Sequence, residues 1–482
     1  MKILFIQDSA LNESLALTEL SGFLKSLGHD CALLLEREEK DLWGEAEKFS
    51  PDIFLIPCSL FAHKWAISIA KMIKSRFDKP VILSGTHPTF FPDILEKEEC
   101  IDIICIGETE LPVSELLSRM EISSDITTIK NLWVKIKGRV YKNEVESLVR
   151  DLGDLPLPDR ELYYRYRFIR DLPMKRFSSG RGCCHSCAYC LEPLLREKYK
   201  YKVNYARKKS VDRVIEEILW IKDKFPLRSL HFSDDIFTFD KKWVIEFADK
   251  YRRQIGLPFT FNADADELDE EIISAVKGAN CSGIAIGIET GSERIRNFIM
   301  DKGISNRDLI RIAGLIKKYK LKLITFNMLA LPGESIEEAF ETLRLNNKIK
   351  TDFIRLTIAF PMPMTRFTLY ALKKGFIVNL DKNIDIYLQK FLKDPYPLFR
   401  SEFMDQFRNF YYLFRIGIKF PFMVPLIRLL IKAPPLAIFK VFNLVIAYDE
   451  KRIFKIGWLP GLRYFCHVGN PMKRTTTYPT LT

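Results

Sequence analysis

Short apolar runs alternate with longer amphipathic stretches along most of this chain, in two separate series. In the first, runs at 3–6, 31–35, 53–57, 81–83 and 101–106 are rich in Val, Ile, Leu and Phe. Runs this short and this apolar suit strands buried on both faces of a parallel sheet. Between them, 14–27, 41–49, 64–77, 91–96 and 110–120 carry the apolar spacing of helices. Five such units predict a doubly wound α/β domain over residues 1–121, flavodoxin-like or Rossmann-like. A sheet of that kind binds ligands at the carboxyl ends of its strands.

A connector is expected over 122–174. It holds a small hairpin, 131–136 and 140–143 around Gly138, and then a stiff stretch at 154–159. Pro156 and Pro158 each disfavour helix at the preceding residue. The second series covers 175–375. Strand-like runs at 175–179, 229–232, 259–262, 283–288, 322–328 and 353–359 alternate with helical patterns at 211–224, 241–255, 269–279, 306–319 and 335–349. Six strands in this order suit an open, partial (βα)6 barrel of TIM type, with chemistry at the carboxyl strand ends.

The pattern changes over 376–482. Phe, Ile, Leu and Pro dominate, punctuated by Arg415, Lys419, Arg428, Lys432 and Lys440. Breaks at Pro421, Pro425, Pro434 and Pro435 predict short amphipathic helices, a mainly helical region. The plain expectation is a cap packed over the barrel mouth. The sharper one is a basic amphipathic surface lying on a membrane, near an apolar substrate.

At 482 residues and 47% hydrophobic composition, two or three well-packed domains are expected. The net charge of +12 is compatible with nucleic acid, an anionic membrane or an acidic substrate. With no zinc finger, RNA-binding aromatic signature or dense Lys/Arg block, a nucleic-acid partner is not expected. The opening apolar run is broken at Gln7-Asp8, too soon for a secretory signal. No window approaches the roughly 18 uncharged apolar residues of a membrane span. A reducing, cytoplasmic setting follows, with the inner membrane face as an alternative for the C-terminal region.

Chemistry enters with Cys183, Cys187 and Cys190, a C-x₃-C-x₂-C spacing at the exit of the strand 175–179. Three thiolates in one compact loop can ligate three irons of a cubic 4Fe–4S cluster, leaving the fourth open. A structural zinc site is the alternative, with Cys184 or His185 as fourth ligand, as are three buried thiols. Cys31, Cys58, Cys100, Cys105, Cys281 and Cys466 read as small core residues.

The stretch 177–190, F-S-S-G-R-G-C-C-H-S-C-A-Y-C, resembles the cluster loop of the radical S-adenosylmethionine (SAM) enzymes. The match includes Arg181-Gly182 before the first cysteine and Tyr189 before the last. The runs at 232–238, 287–296 and 331–334 also resemble patterns of that family. One departure is Cys184-His185, where many relatives have proline after the first cysteine. The resemblance implies that Tyr189 packs beside the cluster and that Ser233, Asp234, Asp235, Asn262 and Glu289 line the SAM site. Carboxylates and amides suit SAM's ammonium and hydroxyls. Arg181 is expected to balance the cluster's negative charge. Asp240, Ser292 and Ser335 read equally well as helix caps.

The strand ends of the first domain resemble the cobalamin-binding domain fused to many radical SAM enzymes. Asp8, Ser59, Gly85, Thr86, His87, Gly107 and Glu108 are the positions implied there. The D-x-H-x-x-G motif of another cobalamin family is missing, so the lower axial ligand stays open. His87 either approaches cobalt or shapes its loop, and His29 reads as a solvated turn residue. What the resemblance implies is a cobalamin-dependent radical SAM enzyme that cleaves SAM reductively to a 5′-deoxyadenosyl radical. Methylation of an unactivated carbon of a small metabolite or lipid is the leading expectation, with a flavodoxin or ferredoxin as electron donor. A non-methylating cyclase or oxidative enzyme, and a cobalamin or cluster sensor, remain as alternatives.

Overall fold

The computed structural model describes residues 1–10, 13–146, 148–199, 205–377 and 397–434. In the first series, β1 (Lys2–Gln7), α1 (Leu15–Ser26), β2 (Asp30–Leu35), α2 (Leu42–Phe49) and β3 (Ile53–Pro57) follow one another. Then come α3 (His63–Phe77), β4 (Val81–Ser84), α4 (Thr86–Phe90), α5 (Ile94–Lys97), β5 (Ile103–Cys105) and α6 (Glu110–Glu121). The sequence pattern predicted one helix over 91–96. The chain instead makes two short ones around Pro92, whose missing N–H cannot continue the first.

The hairpin of β6 (Leu132–Ile136) and β7 (Arg139–Lys142) forms as expected, but it is not free-standing. Strand β6 pairs antiparallel with β5, giving a seven-stranded sheet of order β2-β1-β3-β4-β5-β6-β7. The proline-containing stretch lies along α1: the Asp159 N–H donates to the Thr18 carbonyl at 2.8 Å, and Ser21 Oγ donates to the Asp159 carboxylate at 2.6 Å. Two short helices follow, α7 (Glu161–Tyr164) and α8 (Arg167–Arg170). Tyr166 Oη accepts the Leu35 N–H at 2.9 Å, fastening the connector to the edge strand β2.

The second series opens with β8 (Met174–Phe177), β9 (Gly180–Arg181), α9 (Glu192–Lys198), β10 (Arg207–Lys208) and α10 (Val211–Lys224). It continues through β11 (Ser229–Phe232), α11 (Lys241–Gln254), β12 (Phe259–Ala263), α12 (Glu270–Gly278) and β13 (Cys281–Glu289). The last units are α13 (Asn306–Lys318), β14 (Lys322–Leu329), α14 (Ile336–Lys348), β15 (Phe353–Ile358) and α15 (Arg366–Lys373). All six expected strands form one parallel sheet of order β15-β14-β13-β12-β11-β8, an open half-barrel. Side chains that alternate outward, such as Leu230, Phe232, Phe259, Phe261, Ile284 and Ile286, are buried under the helices. They share one core with Ile3, Phe5, Leu20 and Leu33 of the first sheet, so the two sheets are bound by continuous apolar packing.

Beyond the barrel, α16 (Met404–Lys419) and α17 (Val424–Leu430) are separated at Pro421, as expected, whereas Pro425 does not break a helix but sits in the first turn of α17, where its missing N–H has no intrahelical partner to lose. Phe407, Phe410 and Phe414 pack on Phe340 and Leu343 of α14 and on Leu356 and Ile358 of β15. These two helices extend the outer helix layer, while Phe399 packs in one cluster with Ala188 and Tyr189 of the cysteine loop. Pro435, Lys440 and Cys466 lie outside the described residues.

Candidate active site

Strand β8 delivers the cysteine loop to the carboxyl edge of the half-barrel. Immediately after it, β9 pairs with β10, and Gly182 turns the chain with φ of +79°. A Cβ at Gly182 would lie 2.7 Å from the Tyr205 carbonyl oxygen, so only glycine fits this turn. The loop is then fastened from several sides. The Ala188 N–H donates to the Met300 carbonyl at 2.8 Å, and the Phe367 N–H to the Ala188 carbonyl at 2.9 Å. Arg196 reaches the Cys184 carbonyl at 3.1 Å and Ser186 Oγ at 2.8 Å.

All three motif cysteines are free and half-buried. Backbone N–H groups already point at two of the sulfurs: His185 to Cys183 Sγ at 3.4 Å and Glu192 to Cys190 Sγ at 3.5 Å. Such donors stabilise thiolate ligands and tune a bound cluster. Without a metal, burial pushes all three thiols up, Cys190 to about 12. The residues fit such a cluster on their donor chemistry, three thiols within one loop with backbone N–H groups aimed at two of the sulfurs, and a bound metal would supply the charge that keeps them as thiolates. Cys184 and His185 turn away toward Glu267: Cys184 Sγ lies 3.9 Å from Glu267 Oε1, and His185 Nε2, with no hydrogen-bond partner among the described residues, lies 3.4 Å from it. A closed tetrahedral zinc site would have to break that grouping, whereas a three-cysteine cluster leaves it intact.

Around the loop, the strand ends assemble the expected polar residues, in unequal roles. Tyr189 Oη donates to Glu289 Oε1 at 3.0 Å. Glu289 is buried with φ of +64°, at a register shift between β13 and β14. A bulge of this kind re-aims one side chain toward a site. Lys302, which sequence reasoning missed, stands 3.7 Å from Glu289 and 2.8 Å from Asp264. Arg296 is wholly buried and donates to the carbonyls of Ile288 and Thr290, both at 3.1 Å, and of Ile304. It holds the backbone on either side of Glu289, while burial brings its own pKa down to about 10.

Asn262 donates to the Asp234 carbonyl at 3.2 Å, and its buried Oδ1 has no hydrogen-bond partner among the described residues. An orphaned acceptor at a strand end fits a ligand hydroxyl or ammonium. Asp235 is half-buried, and its charge raises the Cys183 and Cys190 thiols further. Ser233 and Asp234 are differently engaged. Ser233 Oγ accepts from Arg176 Nε at 2.8 Å. The Asp234 carboxylate accepts from the Ser179 N–H at 3.1 Å and from Ser179 Oγ at 2.5 Å, and meets Lys208 at 3.4 Å. Asp234 thus braces the strand leading into the cysteine loop.

The two sheets meet with their carboxyl edges connected through charge. Arg181, expected to offset the cluster, instead reaches across to Glu19, to Glu110 at 2.6 Å and to Glu108 at 3.4 Å. Lys209 meets Glu19 at 2.6 Å, and Arg207 pairs with Glu108. Burial alone would raise the Glu108 carboxyl, but Arg181 and Arg207 hold it below the usual range. Glu108 also accepts the Val149 N–H at 2.9 Å, so this carboxylate serves the interface.

Of the other positions implied for cobalamin, Ser59, Gly85, Thr86, His87 and Gly107 all lie at the β3, β4 and β5 ends. His87 is buried, its Nδ1 3.0 Å from the Leu60 carbonyl and its ring stacked on His63 at 4.4 Å. Gly107 has φ of +82°, and a Cβ there would strike Tyr199 Oη at 2.3 Å. Asp8 is buried and accepts from Arg37 Nε at 2.5 Å. His29 is not solvated: it is 6% exposed, with Nδ1 3.2 Å from the amino terminus and 3.5 Å from Glu121.

A loop of three cysteines at the mouth of a parallel half-barrel, facing the ligand edge of a doubly wound sheet, defines a class of enzyme. Residues 177–345 match the Radical SAM superfamily and residues 2–117 the B12 binding domain. The chain belongs to the radical SAM enzymes that carry a B12-binding domain, and its cofactors are a 4Fe–4S cluster, SAM and cobalamin. Among relatives, the "uncharacterized methyltransferase PH0819" of Pyrococcus horikoshii is 29% identical over 339 residues, 70% of this chain and 72% of that one. The fold is similar to TsrM from Kitasatospora setae, a radical SAM methyltransferase solved with cobalamin and a [4Fe-4S] cluster. That likeness has a TM-score of 0.64 at 15% identity, covering 77% of this chain and 75% of TsrM. The cobalamin-dependent enzyme OxsB, solved with aqua-cobalamin and SAM, gives 0.62 at 17% identity over 80% of this chain and 56% of OxsB.

Proposed function

We propose that this enzyme transfers a methyl group to an unactivated carbon of a small metabolite or lipid. The observation that carries the reading is the cysteine loop set at the barrel mouth and tied, through Arg181, to the ligand edge of the B12-binding sheet. When bound, the reduced cluster, SAM and cobalamin supply an electron, a radical precursor and a methyl carrier.

The protein's own residues do the placing. Cys183, Cys187 and Cys190 would hold the cluster through their three thiolates. Glu289, fixed by its bulge, Tyr189 and Arg296, orients the SAM ammonium, with Asn262 and Asp235 completing the polar wall. Asp234 and Ser233 keep the strand ends in register. Ser59, Gly85, Thr86 and His87 line the corrin face, with Gly107 beside them and Asp8 at the end of β1. On this reading the partners are a small-molecule or lipid substrate and a flavodoxin- or ferredoxin-like electron donor. On the same reading, the C-terminal helices make any peripheral contact with a membrane.

The test is anaerobic incubation of the reconstituted chain with SAM, cobalamin and a strong reductant, followed by product analysis. Methyl transfer of this kind releases 5′-deoxyadenosine together with S-adenosylhomocysteine. Release of 5′-deoxyadenosine alone, with every candidate substrate, would favour a non-methylating reaction and overturn the proposal.

A further inference from the structure

The outer side of the C-terminal helices carries an apolar stripe that the barrel does not cover. Ile427 and Ile431 face inward and are buried against α14 and α16. Phe422, Leu426 and Leu429 face the other way, 78%, 47% and 66% exposed, with Phe420 beside them at 41%. Their spacing of four and then three residues puts them on one side of a short helical segment. Pro421 and Pro425 are exposed on the same segment. Isolated exposed apolar side chains are ordinary, but four within ten residues make a patch.

Along the segment that carries the stripe, the charge has one sign. From 406 to 448 the chain has six cations, Arg408, Arg415, Lys419, Arg428, Lys432 and Lys440, and no carboxylate at all. Exposed Lys419 and Lys432 stand at the two ends of the stripe. Arg428 is bound to Glu337 at 2.8 and 3.0 Å and lies 4.1 Å over the Phe340 ring, anchoring the segment to α14. The stripe is therefore presented from a fixed base. No described helix is long and apolar enough to cross a membrane.

From this juxtaposition of apolar stripe and one-signed charge, we propose that Phe420, Phe422, Leu426 and Leu429 dock the enzyme on an anionic lipid surface, with Lys419 and Lys432 meeting the headgroups. Apolar rings and leucines enter the boundary of the acyl region while flanking lysines stay at the charged layer. The proposal rests on the function above, in which a lipid is among the substrates. Docking at this surface would hold the barrel next to an apolar substrate without a spanning helix.

The test is co-sedimentation of the full-length protein with phosphatidylcholine vesicles, with and without phosphatidylglycerol. The wild type is expected to pellet with the anionic vesicles and to be released by high salt. Phe422→Asp together with Leu429→Asp is expected to lower partitioning by roughly tenfold or more. Should that pair fail to fold, judged by its cluster absorption, Lys419→Glu with Lys432→Glu tests the same surface. Equal pelleting of wild type and variants overturns the proposal, as does the absence of wild-type pelleting. So does a wild-type dimer that the variants convert to monomer without any vesicle binding, which would assign the stripe to a second copy of the chain. SAM cleavage is measured separately in vesicle-free solution, so failure of the docking and failure of the proposed function are told apart.

Discussion

Cys183, Cys187 and Cys190 are set apart from Cys184 by their surroundings more than by their spacing. Two receive backbone N–H groups on sulfur, whereas Cys184 is exposed and turned toward Glu267. Cys187→Ala should therefore lose iron and sulfide on reconstitution, while Cys184→Ala keeps both. Equal loss in the two proteins would overturn the ligand assignment. Glu289 offers a second test, because its buried carboxylate accepts from Tyr189 at 3.0 Å and meets Lys302 less closely, at 3.7 Å. Glu289→Gln should leave the iron content unchanged and weaken SAM binding about tenfold. Unchanged SAM affinity in equilibrium binding would remove Glu289 from the site.

Local backbone geometry is what makes those side chains converge. The turn at Gly182 and the bulge at Glu289 both use positive φ, one with glycine and one with a charged residue. Gly182→Ala adds both torsional strain and a contact with the Tyr205 carbonyl. A cost of about 2 kcal/mol or more is expected, read as a lower thermal midpoint and slower cluster uptake. At the bulge, Arg296 offsets the strain by hydrogen-bonding the carbonyls around it. Arg296→Met strands several buried acceptors and should destabilise the protein by about 3 kcal/mol in denaturant unfolding. A neutral effect would show that the bulge holds itself. Helix boundaries in this domain follow from local chemistry too: Asp240 caps α11, and Ser335 with Glu338 forms a capping box on α14.

How the B12-binding sheet is held against the barrel depends on buried charge as well as apolar packing. Burial works against a charged Glu19, yet Lys209 and Arg181 bring its pKa down from 4.5 to about 2. A carboxyl lowered on folding stabilises the native state fully above its unfolded pKa, and that stabilisation is lost as pH falls through the folded value. The contribution, about 3 kcal/mol at most, should thus fade between about pH 4.5 and 2. Thermal unfolding across that window should fall less steeply in Glu19→Gln than in the wild type. Identical slopes would exclude Glu19 as the source. This network could not be read in advance, because Arg181 and Glu19 are separated by 162 positions and the cluster loop offered Arg181 a nearer charge.

The periodicity of apolar positions was enough to place the parallel strands of both sheets, all six barrel strands included, since strand and helix patterns are short-range and repeat within a few residues, but not the antiparallel addition of the hairpin to the first sheet. Motif chemistry was local for the same reason: three thiols within eight residues constrain each other whatever the rest of the chain does. Partner choice among charged and polar groups was settled only by folding. Distant segments had to meet before Lys302 could find Asp264, Glu108 could join Arg207, and His29 could be buried beside the amino terminus. A charge has no period along the chain; its energy depends on what lies within a few ångströms and on how much water has been excluded, and both are properties of the assembled molecule.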